Sequence, residues 1–279
     1  MAALVRTLRD SLTIARYRLS HQSRRRAWMA NVFTSGFFMV GPLVLLGETI
    51  VGSNGERLDP FFANTGYINY TGYLAVPLVF AFLTNSSYSW IGQAIRSEQV
   101  EGTLERTLIS MKHPSALILG GVAAHVSFLI VFIAVGIASI SLLVDLNLNI
   151  NWATAALAAA LHLYAVYGFA FILSSLFLWI RDAFAVQQAV TYVVIPVLAG
   201  AGFPVSIFPG WLEFISRLIP FTWAFELERK AFLQHASIDN VASDAALLFG
   251  IATFLWVVAY FFFRTTLRRA KKTGSLGMY

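Results

Sequence analysis

Apolar residues along this chain gather into six long stretches, at 27–51, 73–95, 115–144, 152–180, 183–203 and 242–263. Each holds about 20 residues or more, enough to cross ~30 Å of hydrocarbon as a helix rising ~1.5 Å per residue. The pattern predicts an all-α integral membrane protein with six transmembrane helices. The third and fourth stretches exceed the required length, so tilt or projecting ends are expected there. A further apolar run, 204–220, is cut by Pro204, Pro209, Gly210 and Pro220 into pieces too short to cross. Ahead of the first stretch, Leu4, Leu8, Leu12, Ala15 and Leu19 recur every three or four residues, while Arg6, Arg9, Arg16 and Arg18 fall mostly elsewhere on the wheel. Residues 1–26 therefore read as an amphipathic helix lying in the inner membrane interface, with a solvated helix as the competing reading. The apolar run that follows is too long for a signal peptide and lacks an evident cleavage site, so it is expected to be retained.

Composition agrees with this pattern. Of 279 residues, 58% are hydrophobic and 12% charged, against roughly 45–50% and 25% in soluble domains, which argues against a soluble enzyme. The net charge of +6 hides an asymmetry. With the N-terminus inside, the inner segments hold 16 basic and five acidic residues and the outer segments four basic and nine acidic. That is +11 against −5, and basic cytoplasmic loops are the rule in membrane proteins. Both termini are therefore expected in the cytoplasm, and the basic balance needs no nucleic-acid partner. Cys is absent, which excludes disulfides and thiolate chemistry.

The loop 96–114 reverses the local charge. Val100, Leu104, Leu108 and Met111 mark one face of a short helix, and Glu98, Glu101 and Glu105 form an acidic row at i, i+3 and i+7. Ser97 is placed to cap its start, and Lys112 and His113 suit its end before Pro114. Gly102 costs about 1 kcal/mol within a helix, which points to close approach by another backbone. The other inner segments hold only two acids, Asp10 and Asp182, so three carboxylates here predict a docking surface.

The string Glu98-x-x-Glu101-Gly102-Thr103-Leu104-Glu105-x-x-Leu108, placed after the second of six stretches, resembles the cytoplasmic coupling helix of ABC exporter permeases. The family in question is the O-antigen, teichoic-acid and drug-export superfamily, of ABC-2 type. The segment from Phe203 and Pro204 through Pro209 and Trp211 to Pro220, Phe221 and Thr222 is similar to that family's pair of short outer re-entrant helices and its Pro-hydrophobic-Thr signature. Two features depart from the pattern: the Pro after the acidic row comes late, at Pro114, and the outer segment is rich in aromatic residues. The resemblance implies an interfacial helix at 1–26, a permease domain at 27–263 with a coupling helix at 97–113 and an outer re-entrant segment at 204–225, and a basic cytoplasmic tail at 264–279.

It also implies partners. The chain has no Gly-x-x-x-x-Gly-Lys-Ser/Thr loop, so ATP and Mg are expected on a separate ABC ATPase subunit, with no cofactor or metal on this chain and no enzymatic activity of its own. A second permease copy, forming a homodimer, and membrane lipids complete the expected set, in the plasma (inner) membrane of a prokaryote. Leu104 and Leu108 would anchor the coupling helix in the ATPase, and Glu98, Glu101 and Glu105 would orient it. By the same resemblance, spans one, two and five face a permease–permease cleft. Asn31 and Thr34 in span one, and Asn85, Ser86, Ser87 and Ser89 in span two, become pathway candidates; the equal alternatives are close packing or a kink in span one and hydrogen bonding between helices of one subunit in span two. Phe203, Pro204, Pro209, Trp211, Pro220, Phe221 and Thr222 are read as an outer gate, with Phe214, Trp223 and Phe225 beside them; anchoring of the aromatic residues at the membrane interface is the alternative. His125 and His162 are read as packing hydrogen-bonders, because no acid is spaced to form a relay with either. The expected cargo is amphipathic or hydrophobic, such as a drug, polyketide or lipid, and a lipid-linked polysaccharide is the alternative. An ion-coupled transporter or a membrane-embedded lipid-modifying enzyme is disfavoured: no Asp-x-x-Asp, His-Glu-x-x-His or Gly-x-Ser-x-Gly string occurs.

Overall fold

The computed structural model describes residues 59–100, 115–141, 148–179 and 189–273, with single positions at 13, 16, 20, 146 and 186. Among these the protein is all-helical, without strands. The elements are α1 (Asp59–Thr65), α2 (Tyr70–Val100), α3 (Ser115–Ser141), α4 (Trp152–Trp179), a π-helical segment (Val190–Leu198), a 3-10 turn (Val205–Ile207), α5 (Gly210–Leu218), α6 (Pro220–Leu233) and α7 (Ile238–Thr273). Trp152–Leu173 within α4 and Ile238–Thr266 within α7 are long and apolar enough to cross a membrane. Span one lies outside the described residues, as does the turn at Arg181 and Asp182. Of residues 1–26, read from the sequence as an interfacial helix, only Thr13, Arg16 and Ser20 are described, each helical.

Three boundaries differ from the sequence expectation. Helix α2 continues past Ile95 to Val100, so Ser97 stands inside a helix and not at the start of one. The fifth apolar stretch ends in a π-helix containing Pro196, and the Ala199 amide reaches back five residues to the Val194 carbonyl at 2.7 Å. The wider turn accommodates a proline ring that would clash with the carbonyl four residues earlier in an α-helix. Helix α7 runs on through Arg264 to Thr273, so the first part of the basic tail is helical; Arg, Lys and Ala are good helix formers.

A side-chain cap fixes the start of α2. Asn69 Oδ1 accepts from the Gly72 amide at 2.8 Å while its Nδ2 donates to the Leu146 carbonyl at 2.6 Å, which starts α2 and ties it to the segment before α4. The amides of Asn149 and Asn151 donate to the carbonyls of Phe232 and Ala231, both at 2.9 Å, satisfying the last turn of α6.

Helix α4 packs most extensively against α7 and also against α2 and α6. Its buried Ala155, Ala158, Ala165 and Ala170 keep it thin enough for that close approach. Gly168 serves the same purpose: a Cβ there would meet Trp256 Cδ1 at 3.1 Å. Trp256 stacks on Tyr164 and donates to its carbonyl at 2.8 Å.

Candidate functional site

The proposed coupling residues Glu101, Gly102, Thr103, Leu104, Glu105 and Leu108 lie outside the described residues, as do Asn31 and Thr34. Glu98 and Ser89 are described as helical backbone of α2, without their side chains.

The polar cluster of span two is described from Thr84 to Tyr88. Ser86 and Ser87 donate to the Leu83 carbonyl at 3.0 and 2.8 Å, the back-bonding that Ser adopts within helices. Thr191 in the π-helical segment donates to Asn85 Oδ1 at 3.3 Å, and its hydroxyl also bonds to that of Tyr88. These groups are thus hydrogen-bonded within the subunit and join α2 to the π-helical segment. Asn85 and Ser86 are half-buried, whereas Ser87 and Tyr88 are buried.

The segment read as an outer gate divides into two kinds of position. Pro209 precedes α5, and its carbonyl accepts from the amides of Leu212 and Glu213 at 2.8 and 3.0 Å. Helix α5 then turns Trp211 and Phe214 outward, 67% and 65% exposed. Phe203 meets Phe208 edge to face at 5.6 Å, next to Pro204 at the start of the 3-10 turn. Pro220-Phe221-Thr222 builds the joint between α5 and α6. Pro220 occupies the first turn of α6, where a missing amide costs nothing. Thr222 Oγ1 and Trp223 Nε1 reach back to the carbonyls of Ser216 and Arg217 at 2.7 and 2.8 Å, closing the end of α5. Phe221 points into the core, where it stacks on His162 at 5.9 Å.

Helix α6 also carries two buried charges that the topology count places among the outer residues. Arg229 donates through Nε to the Tyr73 carbonyl at 3.1 Å and through Nη2 to the carbonyls of Gly200 and Ala201 at 2.7 and 3.4 Å. Its guanidinium lies 3.7 Å above the Tyr73 ring, a cation–π contact favoured by desolvation. One side chain thereby ties α6 to the start of α2 and the turn after the π-helical segment.

Glu228 is fully buried and lies 2.6 Å from His162 Nδ1, while His162 Nε2 lies 2.7 Å from Thr84 Oγ1. The expectation that no acid reaches His162 is therefore incorrect: the acid comes from α6, 66 positions away. Thr84 Oγ1 also lies 3.0 Å from the Phe80 carbonyl, an acceptor to which it must donate. Its single proton being used there, His162 Nε2 donates to Oγ1. A proton then remains to be shared between His162 Nδ1 and Glu228 Oε1, whose second oxygen has no hydrogen-bond partner among the described residues. His125 fits the packing expectation, with Nδ1 2.9 Å from the Tyr167 hydroxyl.

Among the described residues two helices are long and apolar enough to cross a membrane, in an all-helical fold. The family model for the ABC-2 type transporter matches residues 13–233, and the chain belongs to that family. Its members are transport permeases, generally non-enzymatic, and normally partner with an ABC ATPase subunit. No curated protein matches the sequence.

Proposed function

We propose that this protein is the membrane-spanning subunit of an ATP-driven ABC exporter and moves an amphipathic or hydrophobic cargo out of the cytoplasm by alternating access. The observation that carries the reading is the family match over 13–233 combined with the acidic row Glu98, Glu101 and Glu105 on the basic side. Six spans with both termini cytoplasmic follow from the apolar pattern and the charge asymmetry, in the inner membrane of a prokaryote. Two permease copies form a homodimer, and two ATPase subunits bind ATP and Mg and receive the coupling helices at 97–113.

Helix α2 supplies a route for force. It runs unbroken through 31 residues, roughly 46 Å at helical rise, from Val100 beside the acidic row to Tyr70 at the opposite end. Along it, Thr84 contacts His162, and His162 contacts Glu228 of α6. A displacement along α2 would pass from Thr84 to His162 and from its ring to the stacked Phe221 at the α5–α6 joint, where Pro209, Trp211 and the Pro220-Phe221-Thr222 joint form the outer gate with Phe203 and Pro204. Asn31, Thr34, Asn85, Ser86 and Ser89 are the pathway candidates between the two copies, whereas Ser87, buried and bonded to the Leu83 carbonyl, is a packing residue. Aromatic content of 15% favours an amphipathic cargo; a lipid-linked polysaccharide is the alternative. Affinity purification of the tagged full chain tests the partnership: a co-purifying protein with a nucleotide-binding motif is expected.

A further inference from the structure

Helix α6 presents one stripe to a single imidazole. Phe221, Phe225 and Glu228, at i, i+4 and i+7, all meet His162 of α4: Phe221 stacks on the ring at 5.9 Å, Phe225 meets it edge on at 5.6 Å, and Glu228 Oε1 lies 2.6 Å from Nδ1. Because α6 is one helix from Pro220 to Leu233, Phe221 and Glu228 move together with the α5–α6 joint. Hydrogen bonding fixes where the proton of the His162–Glu228 contact sits. His162 Nε2 donates to Thr84 Oγ1, so Nδ1 of the neutral ring offers a lone pair. A second ring proton, on Nδ1, would leave Glu228 as a carboxylate, and its Oε2 is buried with no hydrogen-bond partner among the described residues. A buried carboxylate oxygen without a donor is costly. A neutral acid that donates from Oε1 to Nδ1 leaves Oε2 uncharged and avoids most of that cost.

The other charges on the elements packed against α6 are matched elsewhere. Helix α7 presents Asp244 to Lys230, α5 pairs Glu213 with Arg217, and α2 presents the Tyr73 ring to the Arg229 guanidinium. On α6 itself, Glu226 lines an open cleft with Arg217 and Lys230. Arg229, next to Glu228 in the chain, favours a carboxylate there, but its Nε and Nη2 are taken up by three backbone carbonyls. We propose that Glu228 is a proton site that latches the outer gate: protonated, it donates to His162 Nδ1 and holds α6 against α4, and it gives the proton up when α6 parts from α4. The step is an acid dissociation in which the Oε1–H bond breaks, its electron pair stays on the carboxylate and water takes the proton. Without the proton, the closed pair sets a carboxylate against the Nδ1 lone pair and leaves Oε2 bare, whereas water solvates both groups once they part. Deprotonation therefore favours parting, and parting favours release, by the same factor. The latch holds at low pH and loosens as pH rises. It rests on the reading of the α5–α6 joint as the outer gate; the seat of the proton does not.

Two measurements on the full chain in nanodiscs, with neither ATPase nor cargo, test the two parts separately. Infrared spectroscopy at pH 6 should show the carbonyl stretch of a protonated carboxylic acid that is missing from Glu228→Gln, whose amide keeps a donor for Nδ1. If no such band depends on Glu228, the proton sits on His162 and the assignment is overturned. The joint is read through Ser216, buried and with no hydrogen-bond partner for its hydroxyl among the described residues, so Ser216→Cys gives up no hydrogen bond. It also supplies the only thiol in a chain without Cys. Its labelling rate with a water-soluble methanethiosulfonate is divided by the rate of the same cysteine in the Glu228→Gln background, which cancels the thiol's own response to pH. That ratio should rise at least tenfold from pH 6 to pH 9; a constant or falling ratio contradicts the latch. Either failure leaves ATPase-driven export to its own test, and failure of export leaves both results standing.

Discussion

His162 Nδ1 lies 2.6 Å from Glu228 Oε1, joining the interior of α4 to α6 across 66 residues of sequence. Both side chains are buried, so each is the other's substitute for water. The pairing also fixes the depth of α6 in the bundle, because His162 is held from its other side by Thr84 and is flanked by Phe80, Phe221 and Phe225.

Removing one partner strands the other. His162→Leu or Glu228→Leu should each destabilise the protein by about 1–3 kcal/mol, since a buried polar group is left unpaired. The double replacement should cost clearly less than the sum of the two, because both polar groups disappear together. Thermal unfolding of the four proteins in one detergent measures the coupling; additive losses would show that the pair is not an energetic unit.

Gly200 and Gly66 separate backbone strain from crowding. Both adopt left-handed conformations, with φ of +75° and +73°. A Cβ at Gly200 would approach Val205 Cγ1 to 2.7 Å, whereas one at Gly66 meets nothing within 4 Å. Gly66→Ala should cost about 1 kcal/mol from its φ alone. Gly200→Ala should cost more, and it should also loosen the turn whose carbonyl holds Arg229. Melting temperatures of the two variants give the comparison.

The Glu226 carboxyl predicts a pH dependence of defined sign. Burial raises its folded value above the ordinary 4.5, so the folded state holds the proton more tightly than the unfolded chain does. Its contribution is therefore most favourable at acid pH and declines as pH rises through that window. Glu226→Gln, which removes the titration, should raise the melting temperature at pH 7 relative to wild type and change it little at pH 4. An equal shift at both pH values would contradict the burial of this group.

The sequence made the apolar helices legible because their signal is local. The stretches 73–95, 115–144 and 152–180 correspond to α2, α3 and α4 within a few residues. Charge counting was less informative around α6. Summing Lys, Arg, Asp and Glu by loop treats Glu228 and Arg229 as solvated, yet both are buried, and a count cannot separate a charge in water from one held by carbonyls or an imidazole. The His162–Glu228 contact was invisible for a related reason: spacing rules address neighbours on one helix, and this pair crosses between two. No local signal set the pair apart, because Glu226-Leu227-Glu228-Arg229-Lys230 reads as an ordinary charged, solvated turn. The Pro220-Phe221-Thr222 signature was legible as a motif, but its place as the joint between α5 and α6 required the Ser216 and Arg217 carbonyls to be seen as acceptors. The π-helix at 190–198 left only Pro196 as a trace.

The central claim is that a separate ATPase drives transport through the acidic row at 98–105. It is tested most directly in proteoliposomes holding this chain with its co-purified ATPase, using a fluorescent amphipathic dye as cargo. Expected is dye movement only with the ATPase and ATP present, and Glu101→Arg should abolish movement while ATP hydrolysis continues and the chain still inserts. Dye transport by the purified chain alone, without ATPase or nucleotide, would contradict it.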